Sequence, residues 1–280
     1  MSSVTRQVRE DHQKNIVRSF DSLSQRHARW QVWADFVMMA AIEISNAADH
    51  VNKARREETY RSIAKKYNVG EHKAFGEMFT EIVLGMEENA DQDFLGELFM
   101  ALELGNDRVG QFFTPYSICA CMARISGTDL QQRIREDHWI SVNDPACGAG
   151  ALLLAFANEC TRQNVNYQTS VLFTAQDIDL ISGCMCYIQL SLLGCPGYVV
   201  VGDTLAHPST SYDRRGLFPR ESENVWYTPL YFTEIWHYRK LLAKIDLMCR
   251  STNKAPENAE TSASPELPIR TTKTGQLTLF

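Results

Sequence analysis

The sequence predicts an α/β fold in which a helical region precedes a parallel sheet. Three observations carry this expectation. Apolar runs of strand length alternate with helical stretches between Trp139 and Val201. A glycine-rich turn, Asp144-Pro145-Ala146-Cys147-Gly148-Ala149-Gly150, closes the first of those runs. Between Trp30 and Leu104, apolar residues recur at helical spacing instead.

The helical region comes first. Trp30, Trp33, Val37, Ala40, Ala41 and Ile44 fall on one helical face. Phe75, Met78, Phe79, Ile82, Val83 and Met86 form a second stripe. Phe94, Leu95, Leu98, Phe99 and Leu102 form a third, stopped at Gly105-Asn106. Three or four helices are therefore expected before the turn, their stripes serving as core. In Gly110-Gln111-Phe112-Phe113-Thr114-Pro115, Thr114 is expected as an N-cap with Pro115 in the first helical position, opening a helix through Ile125.

Strands are expected at Trp139–Asn143, Val171–Ala175 and Tyr198–Val201, with helices at Ala151–Arg162 and Ile181–Leu193 between them. This alternation predicts parallel strands joined by crossovers. His207 to Val225, rich in Pro, Ser, Arg and Gly, gives no strand. Pro229 to Met248 reads as one amphipathic helix burying Leu230, Ile235, Leu241, Leu242 and Ile245. Cys249 to Gly275 has the composition of a disordered linker, and Gln276-Leu277-Thr278-Leu279-Phe280 turns apolar again. The expected organisation is a helical region over 1–105, a ligand-binding domain over 106–248 and a tail over 249–280.

With 44% hydrophobic and 22% charged residues over 280 positions, the chain has an ordinary globular composition. No apolar run approaches the roughly 20 residues that span a bilayer, and the N-terminus has no signal-like stretch, so a cytoplasmic protein is expected. The eight cysteines include no Cys-x-x-Cys pair and read as reduced core thiols, not metal ligands. A net charge of −6 works against unaided binding of nucleic acid. The chain's basic clusters are only local: Lys53-Ala54-Arg55-Arg56, Lys65-Lys66, Arg214-Arg215 and Arg239-Lys240.

Each expected strand ends at an acid: Asp144, Asp177 and Asp203. In a doubly wound sheet with the first strand inside, these ends lie side by side along the carboxyl edge, where ligands bind. Gly148 and Gly150 let the backbone approach such a ligand closely. A carboxylate at the start of the turn suits a cation better than a pyrophosphate. Asp144 can face an ammonium group, Asp177 a ribose diol, and Asp203 the exocyclic amine of adenine. The ligand carrying all three is S-adenosylmethionine.

Taken in order, GQFFTP (Gly110 to Pro115), DPACGAG (Asp144 to Gly150), AQDID (Ala175 to Asp179) and GDTL (Gly202 to Leu205) resemble the cofactor half of adenine-specific DNA methyltransferases. The nearest likeness is to the modification subunits of type I restriction systems, over roughly Phe94 to Leu205. The resemblance implies a Rossmann-like methyltransferase sheet, S-adenosylmethionine as donor, and contacts from Thr114, Ala146, Gly148 and Gly150 beside the three acids. It implies methylation of the N6 amine of adenine in DNA, usually after base flipping, by the chain alone or as a subunit of a modification assembly with a specificity or catalytic partner. The family's Asn/Asp-Pro-Pro-Tyr/Phe motif, which grips the adenine, does not occur after Leu205; Ala206-His207-Pro208-Ser209 and Tyr227-Thr228-Pro229-Leu230-Tyr231 are poor substitutes. Catalytic residues are therefore unassigned. Three visible strands are also fewer than the roughly seven that the resemblance implies. A partner chain or the Pro229–Met248 helix should then cover the first strand's edge. A non-catalytic adaptor that keeps only donor binding is the rival expectation.

The terminal QLTLF resembles the peptide by which bacterial proteins dock on the replication sliding clamp. Gln276 would bond at the rim, and Leu277, Leu279 and Phe280 would fill apolar pockets. This adds a third expectation, a clamp-binding scaffold.

Overall fold

A computed structural model describes residues 3–104, 113–220, 224–252, 270–271 and 277–278. The chain divides into two compact units, Met1–Lys240 and Leu241–Phe280.

The first unit opens with five helices: α1 (Ser3–Leu23), α2 (Arg29–Ala48), α3 (Lys53–Ala64), α4 (Val69–Glu88) and α5 (Phe94–Ala101). The α1 helix is one that apolar spacing had not suggested. Its Ile16, Phe20 and Leu23 are buried amid charged neighbours, and α1 packs along α4. The α4 helix starts with a capping box, in which the Asn68 side chain accepts from the Glu71 N–H and Glu71 reaches back to the Asn68 N–H. The three expected apolar stripes are core, with Trp33, Val37, Met78, Ile82 and Leu98 fully buried; Trp30 is the exception, 44% exposed at the edge of its stripe.

Next come α6 (Tyr116–Ser126), α7 (Leu130–Asp137), β1 (Ile140–Asp144), α8 (Ala151–Arg162), α9 (Tyr167–Ser170), β2 (Val171–Asp177), α10 (Leu180–Leu192) and β3 (Gly197–Val201). The strands β1, β2 and β3 are parallel neighbours in that order. The strand β2 is buried from Val171 to Gln176 and opens on the apolar run Val171-Leu172-Phe173, as expected of a strand covered on both faces. On one side α2 packs against α10, joining the helical region to the sheet, while α6 packs on α8.

Three features depart from the expectations. A fourth strand, β4 (Val225–Tyr227), pairs antiparallel with β3 at the end of the segment read as strandless. Pro229–Phe232 is a 3-10 turn, and the helix α11 runs from Glu234 to Thr252. Along α11, Trp236 is fully buried, whereas Ile235, Leu241, Leu242 and Ile245 are exposed. Finally, the order β1-β2-β3-β4 puts β1 at the sheet's edge and not inside it. The strand ends at Asp144, Asp177 and Val201 remain adjacent, so the carboxyl edge still gathers the first two acids.

In the second unit, β5 (Arg270–Thr271) pairs antiparallel with β6 (Leu277–Thr278). Gln276, Leu279 and Phe280 lie outside the described residues, as do Gly110, Gln111 and Phe112. No described helix is long and apolar enough to cross a membrane.

Candidate cofactor site

The carboxyl ends of β1 and β2 open onto a cleft of about 590 Å³. Its floor is the glycine turn. Gly148 and Gly150 adopt φ of +52° and +98°, in the left-handed region. A side chain at Gly148 would strike the Phe113 ring at 2.9 Å, and one at Gly150 would strike Cys186 Sγ at 2.8 Å. Both glycines are therefore required by backbone conformation and by space. Gly150 hands the chain to α8, its N–H donating to the Cys147 carbonyl.

Asp177 locks this turn. Its Oδ2 accepts from the Gly148 N–H at 2.8 Å and its Oδ1 from the Asp179 N–H at 2.9 Å. Each oxygen keeps a lone pair for a ligand. Asp144 accepts from the Ala146 N–H at 3.1 Å. Burial raises the Asp144 pKa, and the Asp177 charge adds to the rise against the lowering bond from Ala146. Cys119 is pushed up to about 11, chiefly by burial and then by Asp93 and Asp144.

Among the expected residues, Thr114, Asp144, Ala146, Gly148 and Asp177 line the cleft. Gly150 supports its floor from behind. Thr114 does not cap α6: that helix begins after Pro115, with no side-chain cap. The Thr114 hydroxyl is thus left exposed at the cleft mouth. Asp203 lies beside a neighbouring cavity of about 330 Å³, where its Oδ1 accepts from the Leu205 and Ala206 N–H groups. Its loop is tied to the glycine turn by Thr204, whose hydroxyl donates to the Pro145 carbonyl at 2.6 Å.

The structure adds residues that motif reading had not singled out. Asp93, only 2% exposed, lines the cleft from the start of α5. Gln189 holds it there: its amide donates to Asp93 Oδ1 and to the Ala149 carbonyl, both at 2.8 Å, and its oxygen accepts from the Leu95 N–H. One buried side chain thereby joins α5, α10 and the glycine turn. Asp179 lines the cleft and caps α10 through the Ser182 N–H, and Ile178, 75% exposed, stands at the rim. The signal that would have found Asp93 is its own N-cap pattern before an apolar helix, but nothing local relates it to Asp144.

Taken together, the described lining contains four carboxylates (Asp93, Asp144, Asp177 and Asp179) and no Lys, Arg or His. Such a cleft repels a phosphate and suits a ligand carrying positive charge. Its glycine turn and apolar rim suit an adenosine-like body. Methionine with a sulfonium centre and a free ammonium group, joined to adenosine, meets both requirements.

A mixed α/β fold with a glycine turn and acids on its carboxyl edge is consistent with a methyltransferase-like protein. The chain belongs to the N-6 DNA methylase family, whose model matches residues 93–261, more than half of it. That match begins at Asp93 and takes in the cleft, β4 and the start of the tail. No curated protein gives a match to the chain.

Proposed function

We propose that this chain binds S-adenosylmethionine in the acid-lined cleft and serves the methylation of adenine N6 in DNA, as the donor-holding part of a modification assembly. The observation that carries the reading is the cleft's electrostatics: four carboxylates and no described basic side chain around a glycine turn. Asp144 would face the ammonium group, with Asp93 adding to the negative field. Asp177 would accept from the ribose diol while still gripping Gly148. Thr114 at the mouth would contact the methionine moiety, and Asp203 the adenine amine. The bound donor supplies an electrophilic methyl group. The chain's own contribution is to fix that group's direction through a turn that cannot relax, because positioning accounts for much of the rate in such transfers.

The placement of the chain's remaining candidates supports an assembly over a self-sufficient enzyme. Tyr227-Thr228-Pro229-Leu230-Tyr231 follows the antiparallel β4, and Tyr227 sits opposite Tyr198 at the start of β3. In register, Tyr227 is level with Thr174 of β2 and Asn143 of β1, and is separated from Asp144 by the width of the sheet. Tyr227 is also stacked on Tyr231 at 4.8 Å, and Thr228 is fully buried. In this reading the rings of the segment are committed to packing on one another and not to an adenine at the cleft. The groups that grip the base belong in this reading to a partner chain adjoining β1, which has no strand on its outer side among the described residues.

The rival reading, an adaptor that binds donor without transfer, rests on the same missing motif. The terminal Gln276 to Phe280 would dock either version on a sliding clamp, and a chain acting only through that peptide is the third reading. Calorimetry with S-adenosylmethionine and transfer of tritiated methyl to DNA, each with and without the products of neighbouring reading frames, separate them. Donor binding with partner-dependent transfer supports the assembly. Donor binding without transfer under any condition supports the adaptor. No donor binding, with Asp144→Ala indistinguishable from the parent, sinks both. Loss of function only on deleting Gln276 to Phe280 leaves the scaffold.

A further inference from the structure

Two basic pairs that are separate in sequence, Arg214-Arg215 and Arg239-Lys240, converge at the end of the sheet away from the cleft. They meet around aromatic rings. Trp139, just before β1, and Trp236 on α11 form an edge-to-face pair with centroids 5.6 Å apart. The Arg215 guanidinium lies 4.0 Å from the centre of the Trp139 ring. Arg239 lies 4.3 Å from Trp236 and 5.7 Å from Trp139. Lys240 stands 3.5 Å from the Tyr231 ring and donates to the Tyr231 carbonyl. The frame is rigid: Trp236 Nε1 donates to the Gln168 carbonyl at 2.9 Å, and Arg239 Nη1 to that of Thr169 at 2.5 Å.

Cations stacked on rings are common as internal glue, so the counter-charges decide what this cluster is for. The nearest acid in sequence, Asp213, is occupied by its own turn, accepting from the N–H groups of Arg215, Leu217 and Phe218. Among the described residues no carboxylate pairs with Arg214, Arg215 or Arg239. Burial, and then the charge of Arg215, pull the Arg239 pKa below its ordinary value, and no acid opposes them. The fold therefore brings like charges together and leaves them uncompensated, in a chain whose net charge is −6. A structural role would be served by one arginine per ring; it gives no reason for Arg214, which is exposed beside Arg215. A guanidinium held against a ring keeps its remaining N–H groups for a phosphate, and Arg239 commits only Nη1, to the Thr169 carbonyl.

We infer that Arg214, Arg215 and Arg239, framed by Trp139 and Trp236, form a contact site for the phosphodiester backbone of duplex DNA. The inference rests on DNA being the substrate of the proposed function, and it places a holding point on this chain in addition to any on a partner. The site is separable from the cleft, because Trp139 and Asp144 stand at opposite ends of β1, about 16 Å apart at strand rise. The contacts would be to backbone alone, positioning the duplex without reading its sequence.

The test is fluorescence anisotropy of a labelled duplex with the full-length chain over a series of salt concentrations. Each arginine on a phosphate contributes about 0.9 to the slope of log affinity against log salt. Arg214→Glu/Arg215→Glu should lower that slope by about 2 and weaken binding at least about tenfold at physiological salt. The single exposed change Arg214→Gln should lower it by about 1. Lys65→Glu, on an exposed residue of the helical region, should leave the slope unchanged. Melting curves matching the parent's exclude unfolding as the cause. The inference is overturned if the parent shows no salt-dependent affinity, if the arginine variants track Lys65→Glu, or if single-stranded RNA displaces the label as well as duplex does. Donor binding by calorimetry is read separately. A chain that binds donor but not DNA overturns the arginine site alone; one that binds DNA through these arginines but not donor keeps the site and overturns the cofactor reading.

Discussion

The Gly148 N–H donates to Asp177 Oδ2 at 2.8 Å, joining the floor of the glycine turn to the end of the neighbouring strand. The carboxylate that should meet the ligand is thus also the clamp that shapes the ligand's cradle. Removing it loses both. Asp177→Ala should weaken donor binding about 10- to 100-fold, the range for a bond to a charged group, and destabilise the chain by about 1–3 kcal/mol through the stranded N–H groups of Gly148 and Asp179. Asp177→Asn retains one acceptor for two N–H groups and turns an amide NH2 toward the other, so it should recover at most about half of the stability and little of the affinity. Calorimetry and urea unfolding on the same samples check this; equal recovery of both would contradict the dual role.

Gly150 is set by two independent constraints, and a double-mutant cycle separates them. Gly150→Ala puts a methyl at 2.8 Å from Cys186 Sγ and holds alanine at φ +98°. The backbone part costs about 1–3 kcal/mol. Adding Cys186→Ala removes the collision with Sγ and leaves the backbone cost and the tight 3.3 Å approach to Cα and Cβ of residue 186. The double variant should therefore be more stable than the sum of the single changes predicts, by an amount read from urea midpoints.

Asp144 is expected to set stability against binding. Burial raises its pKa, so between the unfolded and folded values the native state holds more protons than the unfolded one. The ionised form therefore costs stability above the folded pKa, and that cost disappears as pH falls through it. Asp144→Asn should raise the melting temperature of the ligand-free chain near neutral pH, with the gain shrinking as pH falls through the raised aspartate range. Donor binding moves the opposite way: in the parent it should weaken over that same fall in pH, while the Asn variant binds weakly throughout. A parent whose affinity is flat across the range would remove Asp144 from the ammonium contact.

These residues also mark how much could be read from the sequence. Asp144 and Asp177 were legible because a strand followed by an acid and a glycine turn is a local pattern, and β1 to β3 were legible as apolar runs. The strand β4 was not, since Val225-Trp226-Tyr227 follows a polar loop and exists only through its pairing with β3. In α11, counting aliphatic residues pointed to Ile235 and Leu242, but burial is decided by Trp139, which takes Trp236 as its partner. Asp93 faces the cleft because Gln189, from α10, holds it there, a relation with no local signature. The convergence of Arg215 and Arg239 is of the same kind: each pair reads alone as a solvated face.

The junction between the helical region and the sheet gives the last prediction. Arg56 of α3 is 4% exposed and pairs with Asp49, itself 2% exposed, at 2.8 Å. It also bonds the Ser45 hydroxyl, donates to the Val225 carbonyl at 2.7 Å and lies 4.2 Å from the centre of the Trp226 ring. A single guanidinium therefore ties α2 and α3 to β4. Breaking a buried pair from one side strands the other charge, at a cost of about 3–5 kcal/mol, whereas replacing both partners with apolar groups is often nearly neutral. Arg56→Met should fall in that range. Arg56→Met/Asp49→Leu should recover part of it, but not all, because the Val225 carbonyl and the contact with Trp226 stay unserved. Urea unfolding followed by tryptophan fluorescence measures both. If the single and double variants were equally unstable, the cost would lie in the lost bond to β4 or in the Asn52 donors that Asp49 also serves, and not in a stranded carboxylate alone.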